Sequence, residues 1–291
     1  MQSIQRCRVR DTALNRGSSR RTLAIRCSKP NIMAEAKREA ARVCVDRFVR
    51  NNTLLALGQG EMVNLVVAEV GRRLAEGSLQ DVAGVPVCDM AAHEAAFHGL
   101  PLVPESRAGE ASLLLADADQ FDPAANAALL GCACEPQQPD VPRLLRAAAV
   151  PTEAGEAGPR VVLLTEASRV VSRLGGVLPV WLDADVWEEA AEQLDDIFLG
   201  DAEIWRRSFT GQPEDPRGGE HPYISPQGHT IVDVRFYEGL KLYGEDEPYD
   251  KIADEVRQVE GVVAHGLLIG RAAAAVVARA GEEGPQVLEF Q

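Results

Sequence analysis

No stretch of this sequence stays apolar for long enough to cross a bilayer. The richest candidate, Gly261 to Gly281, is broken by His265 and Arg271, short of the ~18 uninterrupted residues a spanning helix needs. Basic residues are in deficit, 30 against 44 acidic ones, and the net charge of −14 opposes a phosphate backbone. Neither a nucleic acid nor a membrane is expected as a partner. The six cysteines are too scattered for a disulfide framework and lack the paired CxxC elements of a zinc site. Lysine is missing altogether between Lys37 and Lys241. Against these absences stand 291 residues, 46% of them apolar, enough for a real core and about two domains.

The charge is unevenly spread. Residues 1–29 hold eight basic side chains against the single acid Asp11, a net +7 that leaves −21 on the remainder. An Arg-rich, Ser/Thr-containing, acid-poor leader without a central apolar block is the pattern of an organelle transit peptide, not of a secretory signal. Residues 1–30 are therefore expected to be a transit peptide processed near Ala24 to Ser28, with the chloroplast stroma as destination by analogy. Folding should start near Asn31. Cys44, Cys88, Cys132 and Cys134 are then expected as small packing residues.

Along the folded part, Ala34 to Asn51 has the pattern of an amphipathic helix. Thr53 to Leu57 is a short apolar strand ended by Gly58-Gln59-Gly60, after which Val63, Val66, Val67, Val70 and Leu74 recur at helical spacing. Strand character returns at Gly84 to Cys88, Ala111 to Ala116 and Arg160 to Leu164, with a helix at Met90 to His98. This alternation predicts an α/β fold, Rossmann-like, with a mostly parallel sheet and helices on both faces. Between Pro179 and about Glu260 the pattern changes: all three tryptophans lie there, with a Gly/Pro-rich stretch and a strand at Thr230 to Phe236. A smaller α+β domain over 179–260, inserted into an α/β domain made of 31–178 and 261–291, is expected. Both Gly261 to Val263 and Ala272 to Val277 should rejoin the first sheet.

A glycine turn between a buried strand and a helix can hold an anion, because backbone N–H groups and the helix dipole point into it. Gly58 and Gly60 have that placement. A dinucleotide fingerprint would need a third glycine where Val63 stands. Glu61, at the helix start, is expected to satisfy that terminus itself and so to disfavour phosphate. His93 and His98 are five apart and diverge by about 140° around a helix, so no metal site is expected. His221, His229 and His265 read as surface or hydrogen-bonded core groups. Asp117 and Asp119 follow Leu113-Leu114-Leu115, at the strand end where ligands bind in open α/β sheets; an acidic turn capping the next helix would look the same.

The order of these segments resembles type A ribose-5-phosphate isomerase, of the superfamily that includes glucosamine-6-phosphate isomerases and CoA transferases, over nearly the whole chain after the leader. Lys37-Arg38-Glu39-Ala40-Ala41 is similar to the family's opening Lys-x-x-Ala-Ala helix. Gly58 to Met62 is similar to its Gly-Thr-Gly-Ser-Thr phosphate loop. Gly84 to Cys88 stands for its Gly-Ile-Pro-Thr-Ser turn and His98 to Leu102 for its Leu-Gly-Ile-Pro-Leu segment. Its Asp-Gly-Ala-Asp-Glu motif falls on Ala116-Asp117-Ala118-Asp119-Gln120, and its Glu-Ser-Lys turn on Ala167-Ser168-Arg169. Leu178-Pro179-Val180 resembles its entry into a small lid domain, and Gly261 to Leu267 the return.

The resemblance implies an aldose–ketose isomerisation through an enediolate, with a sugar phosphate as ligand and no cofactor. It implies Asp119 as the catalytic carboxylate and Gly58, Gly60, Asp117 and Arg169 as substrate-binding residues. A homodimer, or pairing with an active isomerase, is the expected association. Such chemistry needs a carboxylate that moves a proton and a cation that steadies the oxyanion. The family's Lys-Gly-Gly-Gly-Gly run reads Leu129 to Pro136 here, without its lysine, and Thr, Ser and Thr of the phosphate loop are Gln59, Glu61 and Met62. The leading expectation is a pseudoenzyme that keeps the fold, in a regulatory or scaffold role. The alternative is an active ribose-5-phosphate to ribulose-5-phosphate isomerase of the pentose phosphate pathway, rebuilt around Asp119 with Glu135 or Asp140 as base and Arg169 on phosphate. A third is an enzyme for a less anionic substrate, which Glu61 and Met62 would suit.

Overall fold

The apolar periodicity of the sequence becomes two faces of one sheet. The computed structural model describes residues 32–58, 60–132, 140–149, 158–209 and 215–290. Its elements in chain order are α1 (Ile32–Phe48), β1 (Leu54–Leu57), α2 (Glu61–Ala75), β2 (Ala83–Pro86), α3 (Asp89–Phe97), β3 (Leu113–Asp117), β4 (Gln120–Asp122), β5 (Ala127–Leu129), α4 (Val141–Ala149) and β6 (Arg160–Glu166). There follow β7 (Gly175–Asp183), α5 (Trp187–Ile197), β8 (Ala202–Arg206), β9 (His229–Gly239), α6 (Tyr249–Gln258), β10 (Val262–His265), β11 (Leu267–Ile269), β12 (Ala272–Ala278) and β13 (Gln286–Glu289).

The first sheet has the order β13-β12-β6-β3-β1-β2. Its β2, β1, β3, β6 and β12 run parallel, and β13 closes one edge antiparallel. Side chains alternate between faces along a strand, and the core divides accordingly. Leu55, Leu57, Leu113, Leu115, Val162 and Leu164 pack on one face against Ala40, Cys44 and Val45 of α1 and Val63, Val66 and Val70 of α2. Ala56, Leu114, Ala116, Val161 and Leu163 pack on the other, against Val141 and Leu144 of α4 and against Trp181, Tyr223 and Ile231. This is the expected α/β arrangement. Cys44 is fully buried, and burial pushes its thiol up to about 12, so it serves as packing.

A second, wholly antiparallel sheet has the order β10-β7-β9-β8. It packs with Leu194 and Phe198 from the α5 end and Ile252 and Val256 of α6 around Leu178, Val180, Val232 and Val234. A three-stranded antiparallel sheet, β11-β5-β4, joins the hairpin between β3 and β6 to the strand between β10 and β12. One expectation is corrected here. Val262 and Val263 do not rejoin the first sheet: β10 pairs with β7, and only the later apolar run, as β12, returns beside β6. A four-residue apolar strand carries no mark of which sheet will take it. A buried ion pair ties this second sheet to the loop after β5. Arg207 donates from Nε to Asp233 Oδ2 at 3.0 Å and from Nη2 to the Gly131 carbonyl at 3.0 Å. Both partners are almost fully buried.

Candidate active site

The C-terminal ends of β1, β3 and β6 lie side by side, with Leu57 opposite Leu115 and Asp117 opposite Leu164. Gly58 follows β1 directly, its N–H donating to the Leu115 carbonyl at 2.9 Å. A Cβ at Gly58 would lie 2.5 Å from that oxygen, so the strands can approach this closely only with glycine there. The chain then enters α2 through Gly60, at φ 150°. The first amides of a helix have no partner within it, and here an aspartate from the neighbouring strand supplies one. Asp117 Oδ2 accepts from the Met62 N–H at 2.9 Å and Oδ1 from the Val63 N–H at 2.8 Å.

Glu61, expected at this post, is elsewhere. Its carboxylate accepts from Lys37 Nζ at 2.7 Å, and Asp117 holds the helix terminus in its place. Nor does the acidic turn cap the next helix, since β4 and β5 follow it. Burial pushes Asp117 up to about 7, against the downward pull of its two amide donors; Asp119 adds to the rise and Arg169 opposes it.

A chain of charges surrounds this cap. Lys37, from α1, reaches Glu61 and, at 2.8 Å, Glu166 at the end of β6. Burial disfavours its charge, but the hydrogen bonds to Glu166 and Glu61 outweigh that and hold its pKa above the ordinary value. Arg169 Nη1 stands 3.6 Å from Asp119 Oδ1, and its Nε 4.0 Å from Glu166. Asp119 Oδ2 accepts from the Cys132 N–H at 2.8 Å, and the Cys132 thiol donates to the Val177 carbonyl at 3.1 Å. The structure thus gathers Gly58, Gly60, Asp117, Asp119 and Arg169 at one edge. Asp140 instead starts α4, accepting from the Arg143 N–H at 3.0 Å with Oδ1. Glu135 and Cys134 lie outside the described residues. Asp122, beside the motif, is structural: it accepts from the Tyr249 hydroxyl at 3.0 Å. His265 is a buried core group whose Nδ1 accepts from the Leu267 N–H.

Lys37 and Glu166 were not among the candidates read from sequence. The signal for Lys37 was its place in the opening Lys-x-x-Ala-Ala stretch, and for Glu166 its position directly before Ala167-Ser168-Arg169. What hid them is distance along the chain, since only the sheet brings α1 to the end of β6.

One family model, described as ribose 5-phosphate isomerase A (phosphoriboisomerase A), matches residues 83–282, the stretch that carries both aspartates and the second antiparallel sheet. The chain belongs to this family. A ribose-5-phosphate isomerase A of Roseiflexus sp. (strain RS-1) is 31% identical over 235 residues, covering 80% of this chain and 87% of the relative. The Arabidopsis thaliana protein named "Probable ribose-5-phosphate isomerase 3, chloroplastic" is 26% identical over 282 residues, 94% of this chain and 91% of that one. Among solved structures, ribose 5-phosphate isomerase from Plasmodium falciparum superposes with a TM-score of 0.72 at 19% identity, covering 88% of this chain and 99% of that one. That likeness establishes the fold.

Proposed function

We propose that this chain is a plastid-directed member of the ribose-5-phosphate isomerase A family that keeps the fold without carrying out the isomerisation, and that it serves a regulatory or scaffold role beside an active relative. The observation that carries the reading is the Asp117 carboxylate on the Met62 and Val63 amides. Those amides, at the N-terminus of a helix behind a glycine turn, are the groups that would hold a phosphate. A fixed internal carboxyl group fills their hydrogen bonds and leaves a phosphate no free donor there. Lys37, the one lysine at this edge among the described residues, is committed to two carboxylates, and the sequence offers no other before Lys241. The plastid part rests on the +7 leader and on the name of the Arabidopsis relative. The lid expected over 179–260 is read as the second sheet with its helices, which β10 extends to His265.

One observation favours a second reading, the rebuilt isomerase. Arg169 stands 3.6 Å from Asp119, a cation beside the carboxylate expected to act. Losing an oxyanion donor costs about 10²–10³ in rate and losing a positioned base about 10²–10⁴. An assay of the purified chain on ribose 5-phosphate beside the Arabidopsis relative, followed by formation of the ketose, separates the two. The proposal expects a rate at least about 10²-fold below the relative. A comparable rate that falls on Arg169→Ala would establish the second reading.

A further inference from the structure

A cleft of about 590 Å³ lies between α5 and the edge strand β8, with Pro216 and Arg217 at its border. That size is within the range of small-molecule sites, and none of the residues around it takes part in the candidate active site. Trp187, Trp205 and Tyr237 line it. Glu203 keeps two of the rings in place, accepting from Trp205 Nε1 at 2.9 Å and from the Tyr237 hydroxyl at 3.2 Å.

The cleft holds a guanidinium without a carboxylate. Arg206 lies over the Trp187 ring, 4.1 Å from its centroid, and its Nη2 donates to Thr230 Oγ1 at 3.3 Å. Its Nε is buried and has no acceptor. Burial lowers its pKa, and among the described residues Glu188 is the one charge that opposes this. A partly desolvated cation with an unused donor is costly to keep, and its planar fork matches a carboxylate. Yet Glu188 and Glu192 of α5 also line the cleft and repel a simple anion. A ligand that suits both walls carries both charges.

We infer that this cleft binds a small zwitterion with an apolar body, of the α-amino acid class. The ligand's carboxylate meets Arg206, its ammonium group faces Glu188 and Glu192, and its side chain lies against Ala191 and Ile204 on the α5 side of β8.

Calorimetric titration of the full chain with L-phenylalanine tests this, with phenethylamine, which lacks the carboxylate, and 3-phenylpropionate, which lacks the ammonium, as the comparison ligands. The expected result is saturable one-to-one binding of L-phenylalanine, with each comparison ligand about tenfold weaker or worse, since one charge-assisted contact is lost. Arg206→Gln weakens L-phenylalanine by a similar factor. Glu192→Gln, on the exposed face of α5, weakens it severalfold and decides the matter if Arg206→Gln does not fold. Absence of saturable binding overturns the inference. So does phenethylamine or 3-phenylpropionate binding as tightly as L-phenylalanine, or an affinity left unchanged by both substitutions.

Discussion

The Asp117 carboxylate and the missing side chain of Gly60 occupy the same space: a Cβ on Gly60 would lie 2.2 Å from Asp117 Oδ2. The glycine that shapes the turn is therefore also what lets a strand-end carboxylate reach the first amides of α2.

Replacement Gly60→Ala should be costly on two counts. Its φ of 150° disfavours any L side chain, and the new methyl would displace Asp117 from Met62 and Val63. Overpacking of this kind costs about 1–3 kcal/mol, to which the lost cap adds about 1 kcal/mol. Urea unfolding would check this; a variant within about 0.5 kcal/mol of the wild type would mean that the cap and the turn are not coupled.

Stability should carry a pH signature of Asp117. Because burial pushes its carboxyl up to about 7 from an ordinary value of 3.8, the fold binds that proton more tightly than the unfolded chain does. Stability from this group is greatest in acid and is lost as pH rises through that interval. His265 acts in the opposite sense. Burial lowers it to about 4, so the fold refuses a proton that the unfolded chain accepts, and stability is lost as pH falls from 6.5 toward 4. Subtracting the profile of Asp117→Asn isolates the first effect. The advantage of the wild type over that variant should shrink by about 2 kcal/mol between pH 5 and 7.5, and a difference that stays flat would contradict the assignment.

Much of this architecture was legible in the sequence. Val63, Val66, Val67 and Val70 announced α2, and three successive apolar runs announced β1, β3 and β6, because local period and strand length suffice for elements of that kind. The glycine turn and both aspartates were legible for the same reason. What was not legible depends on neighbours distant in sequence. Glu61 was the expected occupant of the α2 terminus, and only the β1–β3 register places Asp117 over it. Lys37 joined the site only through the packing of α1 near β6. Val262 and Val263 went to the second sheet because β7 offered them an open edge.

The Arg207–Asp233 pair should be stabilising only as a pair. Removing one partner of a buried ion pair costs about 3–5 kcal/mol, whereas replacing both with apolar groups is often neutral. Asp233→Ala alone is therefore expected to lose that amount in urea unfolding, and Arg207→Met with Asp233→Leu to recover most of it. A double variant no better than the single one would show that the hydrogen bond from Arg207 to the Gly131 carbonyl is the greater part of its role.

Lys37→Met should remove the cation shared by Glu61 and Glu166, leaving only Arg169, 4.0 Å from Glu166, beside them. The loss of two charge-assisted hydrogen bonds, one to an exposed partner, is expected to cost about 1–3 kcal/mol. Adding Glu166→Gln should recover part of it. An unchanged unfolding midpoint in Lys37→Met would show that the lysine is not held by these two groups and is free to serve a ligand.

The most direct measurement follows the amide resonances of Met62 and Val63 by nuclear magnetic resonance while inorganic phosphate, and then ribose 5-phosphate, is added to about 20 mM, a range that reveals even millimolar binding. With Asp117 on both amides, the wild type should show no saturable shift at either residue, and Asp117→Gly should show one at both. Saturable shifts of Met62 and Val63 in the wild type would mean that the cradle is open to the sugar phosphate and would contradict the account.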